Sequence, residues 1–74
     1  MLTGKSFRLK VETLGGESLK GNQQVVHVPA GSVVKIETGP TEYNPNMVEV
    51  LWAGRTLTMF VEDVQGRGES VAAV

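Results

Sequence analysis

The side chains that most often carry catalysis or metal binding are scarce in this 74-residue chain. His27 is the only histidine, and cysteine is absent. Nucleophilic catalysis needs a base beside a nucleophile, and a zinc site usually needs three or four nitrogen or sulfur ligands. One histidine per chain meets neither need unless a second chain supplies the rest. We therefore interpret His27 as a surface or interface residue and predict no metal and no cofactor.

Carboxylates are the next candidates, and the one adjacent pair in the sequence is Glu62 and Asp63. The acid and base of a hydrolytic site face each other across a cleft, whereas neighbours within one turn diverge. Acidic residues at the start of a helical turn are also common capping groups. We therefore predict no catalytic residue.

An aromatic cluster is the best candidate for ligand binding. Trp52 and Arg55 flank a two-residue turn, so they can stack as a cation–π pair worth about 0.5–1 kcal/mol at an exposed site. Tyr43, from a neighbouring loop, would extend the pair into an aromatic patch for a peptide or a planar ligand. The alternative is structural: Trp52 caps one end of the fold and Arg55 covers it.

The charge balance argues against nucleic acid as a partner. Seven basic and eight acidic residues leave a net charge of -1, whereas affinity for nucleic acid comes largely from Lys and Arg on phosphates. The local group Lys5, Arg8 and Lys10 is interpreted as a solvated strand face. No apolar run approaches the roughly 20 residues that span a membrane, and we expect a cytoplasmic location.

The apolar residues alternate with polar ones almost throughout, which indicates β-strands rather than helices. Glycine and proline mark a loop or loose hairpin at 15–22, a turn at 29–32 and a loop at 39–46. A 3₁₀ turn is expected over 62–65, and tight-turn geometry is expected at Gly66-Arg67-Gly68. The predicted strands are 7–13, 24–28, 34–38, 47–52, 55–61 and 69 to about 73.

The hairpin around Ala53-Gly54 has a register that can be predicted. A two-residue loop places Trp52 opposite Arg55, and opposed residues share one face of an antiparallel pair. One face then carries only apolar residues and the other carries Glu49 with Thr58, whereas a slip of one residue would mix the faces. The predicted apolar face consists of Val48, Val50, Leu57 and Met59.

These elements favour one all-β domain over residues 1–74. Small sheets protect their edges by curling into a closed or nearly closed barrel. Five or six antiparallel strands, with one 3₁₀ turn before the last, predict a small SH3-like barrel. The OB-fold competes, but it usually carries a helix where Pro40 and Pro45 exclude one here.

Three segments also carry a resemblance to known sequences: 7–11, 28–31 and 48–60, the last reading Val-Glu-Val-Leu-Trp-Ala-Gly-Arg-Thr-Leu-Thr-Met-Phe. Together they resemble short, uncharacterised bacterial proteins of the kind found among mobile gene cassettes. The resemblance spans nearly the whole chain and implies a single compact domain. It implies no activity.

The outward side of the predicted hairpin carries apolar residues that one core cannot absorb: Met47, Leu51 and Phe60, with Val25 and Val33 on other strands. A domain of this size buries only about 60% of its unfolded surface, and exposed apolar patches usually mark interfaces. We therefore predict a homo-oligomer, with a dimer favoured and Phe60 near the centre of its interface.

Three functions remain open at this point. A non-catalytic binding or protein-interaction module that self-associates is favoured. The second is an enzyme whose site forms at a symmetric interface, as in type II dihydrofolate reductase, although the Val-Gln-Ile-Tyr run of that site has no counterpart here. The third is an RNA-binding barrel, which the charge disfavours.

Overall fold

The computed structural model describes residues 2–72, and within them the chain forms seven strands and one helix. All strand pairs are antiparallel, in the order β3-β2-β6-β5-β4-β1-β7. The all-β prediction is confirmed, with seven strands rather than five or six. The elements are β1 (Ser6–Leu9), β2 (Thr13–Leu19), β3 (Asn22–Val28), β4 (Val33–Thr38), β5 (Met47–Trp52), β6 (Arg55–Phe60), α1 (Val61–Arg67) and β7 (Gly68–Val71).

The hairpin of β5 and β6 has the predicted register. Trp52 lies opposite Arg55 and Glu49 lies opposite Thr58. Ala53 and Gly54 both take positive φ, 50° and 75°, which is the turn that matches the twist of a two-residue hairpin. The predicted apolar face is fully buried, and Glu49 and Thr58 are exposed.

Of the two forms predicted for residues 15–22, a loop or a loose hairpin, the structure has the hairpin, and its pairing is regular. β2 and β3 pair along their whole length around Lys20-Gly21, whose φ values are 51° and 81°. Gly15 sits in β2 because the Leu57 side chain approaches its backbone closely. A Cβ at that position would lie 3.3 Å from Leu57 Cδ1. Here glycine provides space inside a strand rather than a break.

The single strand predicted over 7–13 is divided in two. β1 pairs with β4 and β7, whereas β2 pairs with β3 and β6. Four strand spacings, about 19 Å in a flat sheet, separate β1 from β2, but the chain from Leu9 to Thr13 reaches at most about 14 Å. The sheet must therefore curl. Among residues 2–72, however, β3 and β7 are the two edges of the sheet, so of the predicted closed or nearly closed barrel the closed form is not observed.

The concave side of this curled sheet holds the hydrophobic core. Phe7 and Leu9 on β1 and Val28 on β3 come from distant strands and join the buried face of the β5–β6 hairpin. Burying one such side chain contributes about 1.5–3 kcal/mol. The core side chains are Phe7, Leu9, Val28, Val34, Ile36, Val48, Val50, Leu57, Met59 and Val64.

The segment before the last strand is a seven-residue α-helix rather than the predicted 3₁₀ turn. Val64 is fully buried, and Asp63 and Arg67 pair one turn apart at 3.7 Å. Acidic residues in the first turn and a basic one in the last also complement the helix dipole. The last strand was predicted to begin near residue 69 and runs from Gly68 to Val71; its predicted end at Ala73 lies outside the described residues.

The predicted turn and long loop have the expected character. Ser32 donates its backbone N–H to the carbonyl of Pro29, and Gly31 between them takes a φ of 86°. Residues 39–46 contain no regular element. Within residues 2–72, no helix has the length and apolar character needed to cross a membrane.

Candidate functional site

The predicted pair Trp52 and Arg55 is joined by a third residue, Glu17 on β2. The Arg55 guanidinium donates to both oxygens of Glu17, from Nε at 2.9 Å and from Nη2 at 2.5 Å. Its central carbon lies 5.8 Å from the centre of the Trp52 ring. The side chain of Glu17 is only 9% exposed, while that of Arg55 is 42% exposed.

This arrangement keeps both groups charged. Hydrogen bonds from Arg55 hold the pKa of Glu17 below its ordinary value against the opposing effect of burial. The same bonds raise the pKa of Arg55. A bidentate pair of this kind fixes both side chains, so Arg55 is engaged with Glu17 rather than free for an anion. The geometry favours the structural interpretation, in which Arg55 covers Trp52.

Tyr43 is not brought to this cluster. Its side chain is 98% exposed and lies in the loop that enters β5 at Met47, whereas Trp52 ends that strand. The length of β5, about 17 Å, therefore separates the two aromatic residues. The structure joins two of the three predicted ligand-binding residues.

The Glu17–Arg55 pair predicts a specific acid sensitivity. A carboxylate whose folded pKa is lowered stabilises the fold above its ordinary pKa near 4.5 and loses that contribution as the pH falls through the lower folded value. We expect wild-type stability to fall more steeply between pH 5 and pH 2 (roughly the titration range of carboxyls) than that of Glu17→Gln. Urea unfolding across this range measures both slopes.

Glu69→Gln is the matched control for this experiment. Glu69 pairs with Arg8 at 3.9 Å with both side chains more than half exposed, and exposed pairs contribute little. Over the same pH range, the stability of Glu69→Gln should fall as steeply as that of the wild type. Equal slopes for wild type and Glu17→Gln would contradict the proposed role of the pair.

A second feature is a groove on the outer face, the side of the sheet turned away from the core. Its volume is about 500 Å³. The backbone of Gly16 lies beneath it, with Val25 on one side and Thr58 on the other, since both pair directly with Gly16. A Cβ on Gly16 would meet nothing closer than 3.8 Å. The groove exists because this strand position lacks a side chain.

Apolar side chains form the walls of this outer groove: Leu14, Val25, Met47 and Phe60. Val25 is 70% exposed and Phe60 is 56% exposed, although both are large apolar residues on regular strands. Asp63 and Arg67 of the helix line one end, where they pair with each other. The groove therefore offers an apolar surface with a neutral polar end.

The outer face is divided into an apolar and a charged half. The groove lies on β2, β3 and β6 and on the Met47 end of β5, while β4 and the rest of β5 carry Lys35, Glu37 and Glu49, all exposed. The apolar half reaches to β3, an edge of the sheet. At this edge the apolar half ends at His27, whose Nδ1 lies 2.5 Å from Oε1 of Glu12.

The predicted interface residues are distributed over both halves. Met47 and Phe60 lie opposite each other in the outer groove. Leu51 is on the same face but lies opposite Lys35 on the charged side, about 13 Å along β5 from Met47. The structure joins Met47 and Phe60 and leaves Leu51 apart.

Leu14, Gly16 and Glu17 were not predicted as site residues, because two glycines in succession left open whether this segment is a loop or a loose hairpin. A signal was present in Lys20-Gly21, which matches Ala53-Gly54 as a two-residue turn ending in glycine. Pairing outward from that turn places Gly16 opposite Val25. The groove could have been found by extending this hairpin.

Comparisons of the chain with protein-family models, with curated proteins and with solved structures find no match. The function is therefore inferred from the outer groove, the side chains around it and the sheet that carries them.

Proposed function

We propose that this chain is a small, non-catalytic protein-interaction module that self-associates through its outer groove. The observation that carries the proposal is the groove itself, a cavity of about 500 Å³ with exposed apolar walls over a bare glycine backbone. Contiguous exposed apolar surface of this kind marks interaction sites on soluble proteins.

The groove chemistry supports binding rather than catalysis. Among its lining residues, Asp63 and Arg67 are the ones that ionise, and they neutralise each other at 3.7 Å. A general acid or base must be free to reach a substrate proton. The groove therefore recognises apolar side chains by shape and burial.

The proposed occupant of the groove is a second copy of the chain. A net charge of -1 per chain leaves little repulsion between copies. Phe60 stands at the wall of the groove with more than half of its surface free, so each copy carries both a protruding apolar ring and a recess. In an isologous contact each copy supplies both parts.

We infer further that the curled sheet is an incomplete barrel of the SH3-like type. The short connection from Leu9 to Thr13 across four strand spacings supports this, as does the short helix α1 directly before the last strand. Such a barrel buries one face of its sheet and leaves the opposite face for partners, which is where the groove lies.

Substitutions within the groove should weaken this association. We expect Phe60→Glu to weaken self-association about tenfold or more, because it would bury an unpaired carboxylate at the centre of the contact. Gly16→Val should have the same effect by filling the groove, while its strand tolerates the new side chain. Sedimentation equilibrium at micromolar concentration measures the mass of each variant.

Leu51→Glu is the matched control, since it places the same charge on the same face but outside the groove. We expect it to associate as the wild type does. Circular dichroism shows whether each variant remains folded. A monomeric wild type, or unchanged association in folded Phe60→Glu and Gly16→Val, would overturn the proposed function.

A further inference from the structure

The two edges of the sheet are protected to different degrees. β7 has only four residues and carries the charged side chain of Glu69. β3 has seven residues, pairs with β2 without a bulge, and contains no proline, lysine, arginine or carboxylate. Natural proteins protect long edge strands with such residues or cover them. β3 has the features of an edge that pairs with another strand.

The register shows which backbone groups β3 presents outward. In a two-residue hairpin the residues that flank the loop exchange both backbone hydrogen bonds, and the pairs then alternate. Leu19–Asn22 is therefore a hydrogen-bonded pair and Gly16–Val25 is not. This agrees with Gly16 pairing with Thr58 on its other side. The N–H and C=O groups of Gln23, Val25 and His27 consequently point away from the sheet.

We propose that β3 pairs antiparallel with β3 of a second copy about a two-fold axis at Val25. Val25 then lies opposite Val25 of the second copy, and Gln23 lies opposite His27 of the second copy. The outward groups of these three residues form about six backbone hydrogen bonds. The strand carries no full charges apart from His27 when protonated, so the register brings no like charges together.

The outer face explains why the occupant is a second copy. Its apolar half borders β3 and its charged half lies on β4 and β5. Pairing at β3 brings two apolar halves together into one stripe flanked by charge on both sides. The two grooves then lie on the same face of the joined sheet, and the β2 strands of the two copies are about 14 Å apart.

The edge contact itself does not depend on the proposed function. Only the tetramer that results from combining the two contacts rests on the proposed groove contact as well. The edge contact uses the outward backbone groups of β3, whereas the groove contact uses side chains on the outer face; Val25 takes part in both, but with different atoms. Each contact is isologous. Two perpendicular two-fold contacts close into a tetramer with dihedral symmetry. The edge contact alone gives a dimer with two open grooves.

The decisive variants are His27→Pro and His27→Ala. Proline removes an N–H that points outward, so the isolated fold tolerates it at an edge, while its ring blocks the second strand. Alanine retains the N–H and removes the same exposed side chain. We expect folded His27→Pro to lose half of the wild-type mass in sedimentation equilibrium, and His27→Ala to retain that mass.

Hydrogen exchange of the wild-type amides gives a second readout that does not depend on a variant. We expect the amides of Gln23, Val25 and His27 to be protected from exchange as strongly as those of Gln24 and Val26. On dilution below the association range, the first three amides should lose this protection. Free exchange at these three amides in the associated protein would overturn the edge contact. Unchanged mass in folded His27→Pro would also overturn it.

The failures of the two proposals differ. If Phe60→Glu leaves the mass unchanged while His27→Pro halves it, the edge contact holds and the groove contact is wrong. If Phe60→Glu halves the mass and the edge amides exchange freely, the groove contact holds and the edge contact is wrong. A wild type that stays monomeric with freely exchanging edge amides overturns both.

Discussion

Leu57→Ala and Val50→Ala should each lower the free energy of unfolding by about 2–4 kcal/mol. The two side chains lie opposite each other across β5 and β6, and both are fully buried. Each substitution removes buried methyl groups and leaves a cavity that the curled sheet cannot collapse to fill. A domain of this size has only about 4–11 kcal/mol of total stability, so either loss threatens the fold.

Glu49→Ala and Thr58→Ala are the matched controls, because these residues form the neighbouring pair on the outer face. Surface changes of this kind usually alter stability by about 0.5 kcal/mol or less. Urea unfolding at a protein concentration below the association range compares the four variants, because association adds to apparent stability and Thr58 borders the groove. Similar losses in both pairs would contradict the register.

The second large effect is expected at the junction of α1 and β7. A Cβ on Gly68 would lie 2.4 Å from the carbonyl oxygen of Val64 and 3.3 Å from that of Arg8. Both are backbone atoms, so relief requires the backbone to shift at the junction of α1 and β7. We expect Gly68→Ala to destabilise the fold by about 3 kcal/mol, at the upper end of overpacking effects.

Space rather than backbone conformation is the cause at this position. Gly68 has φ -117° and ψ 164°, which any residue adopts. Gly66 provides the control: it lies in the helix with nothing within 4 Å of an added Cβ, so Gly66→Ala should stabilise by about 0.5–1 kcal/mol. Thermal unfolding should move the two variants in opposite directions. Equal effects would show that the close approach at Gly68 is relieved without cost.

The different environments of Gly66 and Gly68 could not be predicted from the sequence. Gly66-Arg67-Gly68 suggested one tight turn, yet one glycine lies in a helix and the other under a helix carbonyl. The closest contact of Gly68 is with the carbonyl of Val64, four positions back, and it arises only because the chain folds into α1 before β7; the backbone of Arg8, sixty positions away, adds a second contact. The same holds for Gly15, whose lack of a side chain makes room for Leu57.

The candidate site was predictable only where it is local. Trp52 and Arg55 meet across a two-residue turn, so their pairing followed from the spacing. Glu17, which holds Arg55, is 38 positions away along the chain. Its role depends on β2 lying beside β6, an arrangement that no short-range pattern specifies.

The sequence by itself determined the strand character, the β5–β6 register and the buried face of that hairpin. These follow from the alternation of side chains along a strand and from the geometry of a two-residue turn, which both act over a few residues. The tertiary structure alone decided that the predicted strand over 7–13 is divided at residues 10–12 into two strands, which lie near opposite edges of the sheet. It also decided that α1 forms, because Val64 of this helix is buried in a core built from distant strands. The outer groove likewise requires tertiary structure, since Leu14 and Val25 from one hairpin must meet Met47 and Phe60 from another. Contacts of this kind depend on how the whole sheet curls, and the curl is set by packing between residues far apart in the chain.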